Sequence, residues 1–340
     1  MTSIYVSAQA SPVERYAAGE LRKYLSLLYR LDAPVREGDP AAADGPAIVV
    51  GQTRHHAGVA GAEWPSLSAD GFCLRTVRTD PAVLVVAGGS GRGALFGVYE
   101  LLERWGVRFL LSGDALPEPP EPLRLTGFDE RGEPAYPMRA MRPMANLPEG
   151  SAPWGLADFT GFIDQMAKLK FNTFAFVIME SGPWLDYEFR GMKRPAGDIF
   201  YGYRFPIDDG FVGKELFAGQ SEFYNPVLAK ARNEEERKQL GIGLVRAIIA
   251  HCKSRDLLTL LIFSFLGGWG AYIIPYTFLV TATIQPMSVY LQGLTGDYTF
   301  VNYGVVTAIG LFQLLPVLIF YFFAQKYLLN LYSGGLKGAT

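Results

Sequence analysis

Chemistry in this chain would have to come from a glycine-rich turn, three histidines, two cysteines or a scatter of carboxylates. Gly88-Gly89-Ser90-Gly91-Arg92-Gly93 follows an apolar run and opens a helical one, where backbone N–H groups can cradle a phosphate. Its glycines fall as GxGxG, without the spacing of a dinucleotide fingerprint and without a Gly-Lys-Ser/Thr ending. A tight turn and close helix–sheet packing account for them better. His55, His56 and His251 show no metal-ligand spacing and no neighbouring cysteine pair, so they read as surface residues, and neither a metal nor a cofactor is expected. Cys73 and Cys252 are too few for a disulfide framework, which points to a reducing compartment. Asp158 and Asp164 share one helix and read as its solvated face. Asp208 and Asp209 lie in an insertion, Pro183 to Pro226, rich in Gly, Tyr and Phe. No nucleophile elbow or serine triad is present.

The elements that would position such groups divide the chain in three. In residues 1–132, Ile4–Ala8 reads as a strand. Ser11-Pro12 with Glu14 marks a helix start, and Tyr16, Leu21, Tyr24, Leu25 and Leu28 recur at helical spacing. Ala47–Gly51, Gly71–Val77 and Val83–Ala87 are further strands, the last leading through the glycine turn into a helix, Ala94–Trp105. A proline-rich link, Pro117–Pro122, leads to one more strand at Leu123–Leu125. In residues 133–255, Tyr136–Pro143 reads as a strand, Leu156–Leu169 as an amphipathic helix and Thr173–Met179 as a buried parallel strand. Strand, helix and strand at this spacing make a βα unit, whose carboxyl ends carry Arg142 after the first strand and Glu180, Trp184 and Asp186 after the second. The helix Glu234–Ser254 follows.

The third part, residues 257–340, differs in kind. From Leu257 to Gln325 the only charged residue is Asp297. Leu257–Ile284 and Gly304–Gln325 are each long and apolar enough to span a bilayer, which takes about 20 residues. Lys253, Arg255, Lys326 and Lys337 flank the pair, so the positive-inside rule places both ends of a two-helix hairpin in the cytoplasm. The first sixteen residues lack the pattern of a signal peptide. With 31 basic and 33 acidic residues, the chain has no basic excess to suggest nucleic acid.

Two resemblances follow from these residues. YAAGELRKYL (16–25), AIVVGQT (47–53), GFCLRT (71–76) and VLVVAGGSGRGALFGVYELLERWGVRFLLSGD (83–114) resemble the N-terminal domain of α-glucuronidases and β-hexosaminidases. That resemblance implies a small non-catalytic α/β domain ahead of a (β/α)8 barrel, with residues 133–255 as the first βα units of an incomplete barrel. It implies sugar contact for Arg142 and Glu180 and stacking for Trp184, carbohydrate as partner, and catalytic acids on later strands that the chain does not show. Glycoside hydrolysis ordinarily needs two carboxylates flanking the bond. FSFLGGWGAYIIP (263–275), Asp297-Tyr298 and GLFQLLPVLIFYFFAQKYLLNLYSGGLKG (310–338) resemble the last two helices of sugar ABC transporter permeases. That implies a lipid bilayer and other permease subunits as partners, without the cytoplasmic loop that couples to an ATPase.

The expectation is a fusion: a glycosidase-type α/β module and truncated barrel, tethered in the cell membrane by a multi-pass permease fragment with the module in the cytoplasm. It would lack complete catalytic or transport machinery. A glycoside hydrolase completed by partner chains and a carbohydrate ABC permease subunit are the alternatives.

Overall fold

The computed structural model describes residues 2–38, 45–55, 64–118, 120, 122–143, 150, 151, 153–175, 188, 189, 192, 193, 205–211, 214–217 and 219–260, with seven further positions between 307 and 322. Met1–Ala175 with Gly202–Thr259 forms one compact unit, and Phe176–Tyr201 with Leu260–Thr340 another.

The first unit begins with β1 (Ser3–Val6), α1 (Pro12–Tyr29), β2 (Val35–Glu37), β3 (Ala47–Gln52), β4 (Phe72–Thr79), β5 (Ala82–Gly88) and α2 (Gly91–Arg104). The short antiparallel pair β6 (Arg108–Leu110) and β7 (Gly113–Ala115) follows, then β8 (Asp129–Gly132). The sheet order is β2-β1-β3-β5-β4-β8. Four strands run parallel, and β4 pairs antiparallel with β5 and β8. Every residue of β3 is buried, as are Val83–Ala87 of β5, which fits the near-continuous apolar character of both runs.

Local chemistry sets the helix ends. Ser11 caps α1 and Glu14 closes a capping box with it, while Pro12 takes a position where its missing N–H costs nothing. The helix stops at Arg30, which adopts φ 53°. Ser90 caps α2 by accepting from the N–H groups of Arg92 and Gly93. Ala17, Ala18, Leu21, Tyr24, Leu25 and Leu28 of α1 are buried, together with Leu95, Phe96, Val98, Tyr99, Leu101 and Leu102 of α2.

The strand expected at Leu123–Leu125 does not form. Thr76 instead takes that segment by side chain and backbone, its Oγ1 donating to Leu125 O at 3.2 Å and its N–H to Phe128 O at 2.8 Å. The regular ladder resumes only at β8.

Beyond it lie β9 (Ala140–Met141), α3 (Leu156–Lys168), β10 (Thr173–Ala175), the isolated pairs β11 (Glu188–Phe189) with β12 (Met192–Lys193) and β13 (Phe205–Pro206) with β14 (Glu222–Phe223), then α4 (Glu234–Ser254) and β15 (Leu258–Leu260). β9 and β10 are parallel, with Thr173 opposite Ala140 and Phe174 opposite Met141. Together they are the predicted βα unit. The sheet order β15-β10-β9 adds a third strand.

That third strand corrects the expected start of a membrane helix at Leu257. After α4 the chain turns at Asp256 (φ 56°), Leu257 is buried, and Leu258 N–H donates to Asn172 O at 2.9 Å. A short apolar run is ambiguous between strand and helix. Here the turn delivers it to the open edge of β10, whose backbone groups need a partner. The remainder of the predicted hairpin lies outside the described residues, apart from helical positions 307, 308, 311, 314, 315, 318 and 322. Among the described residues no helix is long and apolar enough to cross a membrane.

Candidate functional site

Parallel strands of α/β folds place ligand contacts at their carboxyl ends. Arg142 follows β9 at that end and is exposed. Glu180 and Trp184, predicted to join it, lie outside the described residues, as does Asp186. The other carboxylates do not converge on Arg142. Asp158 caps α3 by accepting from Gly155 N–H at 2.8 Å. Asp208 accepts from Gly210 N–H at 2.9 Å, and Asp209 pairs with Lys214 in solvent. Among the described residues no cluster of three His, Cys, Asp or Glu side chains could hold a metal.

The densest polar constellation sits at the opposite, amino-terminal end of the strands. Asp70, on the turn before β4, is buried. Its Oδ1 accepts from Arg92 Nε and Nη2 at 2.7 and 2.6 Å. Its Oδ2 accepts from Arg139 Nη2 and Asn172 Nδ2, both at 2.7 Å. Asn172 Oδ1 in turn accepts from the backbone N–H of Arg139 at 2.9 Å and from Thr173 Oγ1 at 3.0 Å. Arg139 also donates to the carbonyls of Lys170 and Tyr136. Nothing in the spacing of these residues marked them, because the partners of Asp70 lie 22, 69 and 102 positions from it.

Two further polar anchors cross the same seam. Asp114 on β7 accepts from Lys168 and Gln165 of α3 and from Tyr24 of α1. Burial pushes the Asp114 pKa up, but its bonds from Lys168, Tyr24 and Gln165 outweigh that and hold it below the usual carboxylate range. Tyr24 is pushed well above the ordinary phenol value, by burial first and by Asp114 second. Asp164, expected on a solvated face, instead accepts from His251 Nε2 at 2.8 Å and Arg255 Nε at 2.9 Å. Arg255 stacks over the Tyr16 ring at 3.9 Å. His251 is therefore no free surface residue: α4 packs its last turns onto α3 and needs a partner for the Asp164 carboxylate.

Close backbone approach accounts for the glycines of the turn. A Cβ on Gly88 would lie 2.0 Å from Ala94 N, one on Gly89 2.0 Å from Ser68 O, and one on Gly93 2.4 Å from Gly71 O. Backbone already fills the positions that side chains would take. Beside it, at the carboxyl end of β3, the fully buried Glu14 accepts from Ser11, Gln52 N–H, Gln52 Nε2 and His55 Nδ1. Burial would raise its pKa, yet the bonds from Ser11 and Gln52 prevail and draw it down to about 2. His55, expected at the surface, has a side chain only 8% exposed because it closes this network.

Residues 1–101 match the family described as Glycosyl hydrolase family 67 N-terminus. No curated protein matches the chain. Similar solved structures include a GH115 4-O-methyl-alpha-glucuronidase with specificity for decorated arabinogalactans, at 20% identity over 51% of this chain and 24% of that one, with a TM-score of 0.38. A GH138 enzyme targeting pectin rhamnogalacturonan II is 11% identical over 76% of this chain and 24% of its own, with a TM-score of 0.41. The GH20 beta-N-acetylhexosaminidase from Streptomyces coelicolor A3(2) is 17% identical over 76% and 41%, also with a TM-score of 0.41. The chain thus spans less than half the length of these structures. Its amino-terminal module is a glycoside-hydrolase-type α/β domain. The permease resemblance of residues 257–338 draws no support from these matches.

Proposed function

We propose that the chain serves carbohydrate processing as a glycoside-hydrolase-type module carrying the first strands of a (β/α)8 barrel, with Arg142 as a sugar contact. The observation that carries this reading is the position of Arg142. It is exposed at the carboxyl end of β9, beside the parallel strand β10. The family match of the preceding module supports it. A guanidinium offers a planar fork suited to a carboxylate, so an acidic sugar is the preferred ligand over a neutral one. Glu180 and Trp184 belong to the same proposed contact. Bond cleavage is not expected from this chain alone. The test is calorimetric titration with uronic-acid oligosaccharides and their neutral counterparts, on wild type and Arg142→Ala. Preferential binding of the acidic sugar, lost in the variant, supports the reading; equal or absent binding of both refutes it. Release of aryl alcohol from aryl-glycosides, abolished by Glu180→Gln, would favour a working hydrolase instead.

A second reading concerns residues beyond β15, and it has its own observation. Leu311, Leu314, Leu315, Leu318 and Phe322 are helical and all exposed, at spacings that put them on one helix face. An uncovered apolar stripe of this kind suits a lipid environment or an apolar partner. The proposal is that this part of the chain attaches the module to a membrane, with the module in the cytoplasm, as a permease fragment would. Retention of the chain in the membrane pellet after alkaline carbonate washing supports it. Full release into the supernatant removes it, and with it the transport alternative.

A further inference from the structure

We infer that the amino-terminal module is a clamp that fixes where the three barrel strands begin, and that Asp70 is its positioning residue. Three strand starts, far apart in sequence, report to this one carboxylate. Arg139 immediately precedes β9 and donates to Oδ2; Asn172 immediately precedes β10 and donates to the same oxygen. The third connection is relayed: Arg92, held on Oδ1, donates from Nη1 to the carbonyl of Asp256, two residues before β15. The strands are also tied to one another at this level, through Asn172 O to Leu258 N–H and Arg139 O to Thr173 N–H.

Barrels hold their strands in register mainly by closure, each strand pairing on both sides. The three-stranded sheet among the described residues has no such closure, and its strands are two or three residues long. Sheets this small are marginal alone. A buried carboxylate sharing its lone pairs among two guanidiniums and an amide supplies the missing constraint, because all three donors must keep their places to meet Asp70 together. Arg92 has a second carboxylate, Asp256, at 3.9 Å, whereas the ion pair of Arg139 is with Asp70, so removing Asp70 takes the counter-charge from Arg139 in a mostly buried place. The clamp rests on the reading of these strands as a barrel start but not on sugar binding at Arg142, so a failed titration and an unchanged exchange pattern are distinguishable.

The experiment is amide hydrogen exchange on the full chain, wild type against Asp70→Ala. The clamp requires exchange at Arg139, Thr173 and Leu258 to accelerate by about tenfold or more, while the β3 and β5 amides keep their protection. Unchanged exchange at those strand starts overturns it. Equal acceleration throughout the first sheet also overturns it, since Asp70 would then serve only the module's own stability. If Asp70→Ala does not fold, Arg139→Ala is read in its place, with the same criteria at Thr173 and Leu258. Asp114→Asn is the control: it loosens the seam at α3, and Leu258 should not respond.

Discussion

Lys168 on α3 reaches across the seam to Asp114 on β7, its Nζ lying 2.9 and 2.8 Å from the two carboxylate oxygens. Both side chains are mostly buried. Removing one member strands the other, so Asp114→Ala should cost about 2–4 kcal/mol in urea unfolding at neutral pH. The folded pKa of Asp114 lies below its unfolded value. Its contribution is therefore present above the ordinary aspartate range and fades as pH falls through the folded value. The gap between wild type and variant should narrow in acid; a gap that stays constant from pH 7 down to about 3 would contradict the assignment.

Glu14 makes a sharper case. Its pKa falls from an ordinary 4.5 to about 2 in the folded chain. Stability from its charge is complete above the unfolded value and is lost as pH drops from there towards 2. Glu14→Gln keeps the shape but loses the charge and leaves the Gln52 amide facing another amide. Expected is a loss of about 1–3 kcal/mol at pH 7, shrinking below pH 4. Thermal unfolding across that range is the measurement.

Two glycine substitutions should move stability in opposite directions. Gly88→Ala would put a methyl 2.0 Å from Ala94 N, with backbone on every side, and should cost about 3 kcal/mol or leave the chain unfolded. Gly19 lies on the exposed side of α1 with nothing within 4 Å of a Cβ. Gly19→Ala should gain about 0.5–1 kcal/mol by lowering the entropy of the unfolded chain and raising helix propensity. Paired denaturation midpoints decide both.

The two thiols should be inert. Cys73 and Cys252 are buried. Burial pushes the Cys252 pKa up to about 12 and raises that of Cys73 as well. Thiolate, not thiol, attacks disulfides. An aromatic disulfide reagent at pH 8 should titrate neither cysteine in the native chain and both after denaturation.

Local signals in the sequence carried far. Ser11, Pro12 and Glu14 announced α1, and Val83–Ala87 with the glycine turn announced β5 and α2, because capping and strand burial depend on neighbours within a few residues. The polar seam was illegible for the opposite reason. Asp164 looked solvated and His251 looked loose until the fold brought them within 2.8 Å across 87 positions of chain. Asp70 carried no motif at all, since its partners sit 22, 69 and 102 residues away. β15 was missed because Leu258-Thr259-Leu260 reads alike in a strand and in a span, and the turn at Asp256 that decides between them depends on what waits at the edge of β10. Arg142 was legible as the end of a strand, and its exposure is consistent with that place.

The position of Asp70 in the chain has a consequence for biosynthesis. The acceptor and its first partner, Arg92, leave the ribosome well before Arg139, Asn172 and Asp256. Domains tend to fold as units in order of synthesis. Each of β9, β10 and β15 would then emerge to find its anchor already standing, and a translation pause before residue 139 should leave a compact, protease-resistant module waiting for the rest.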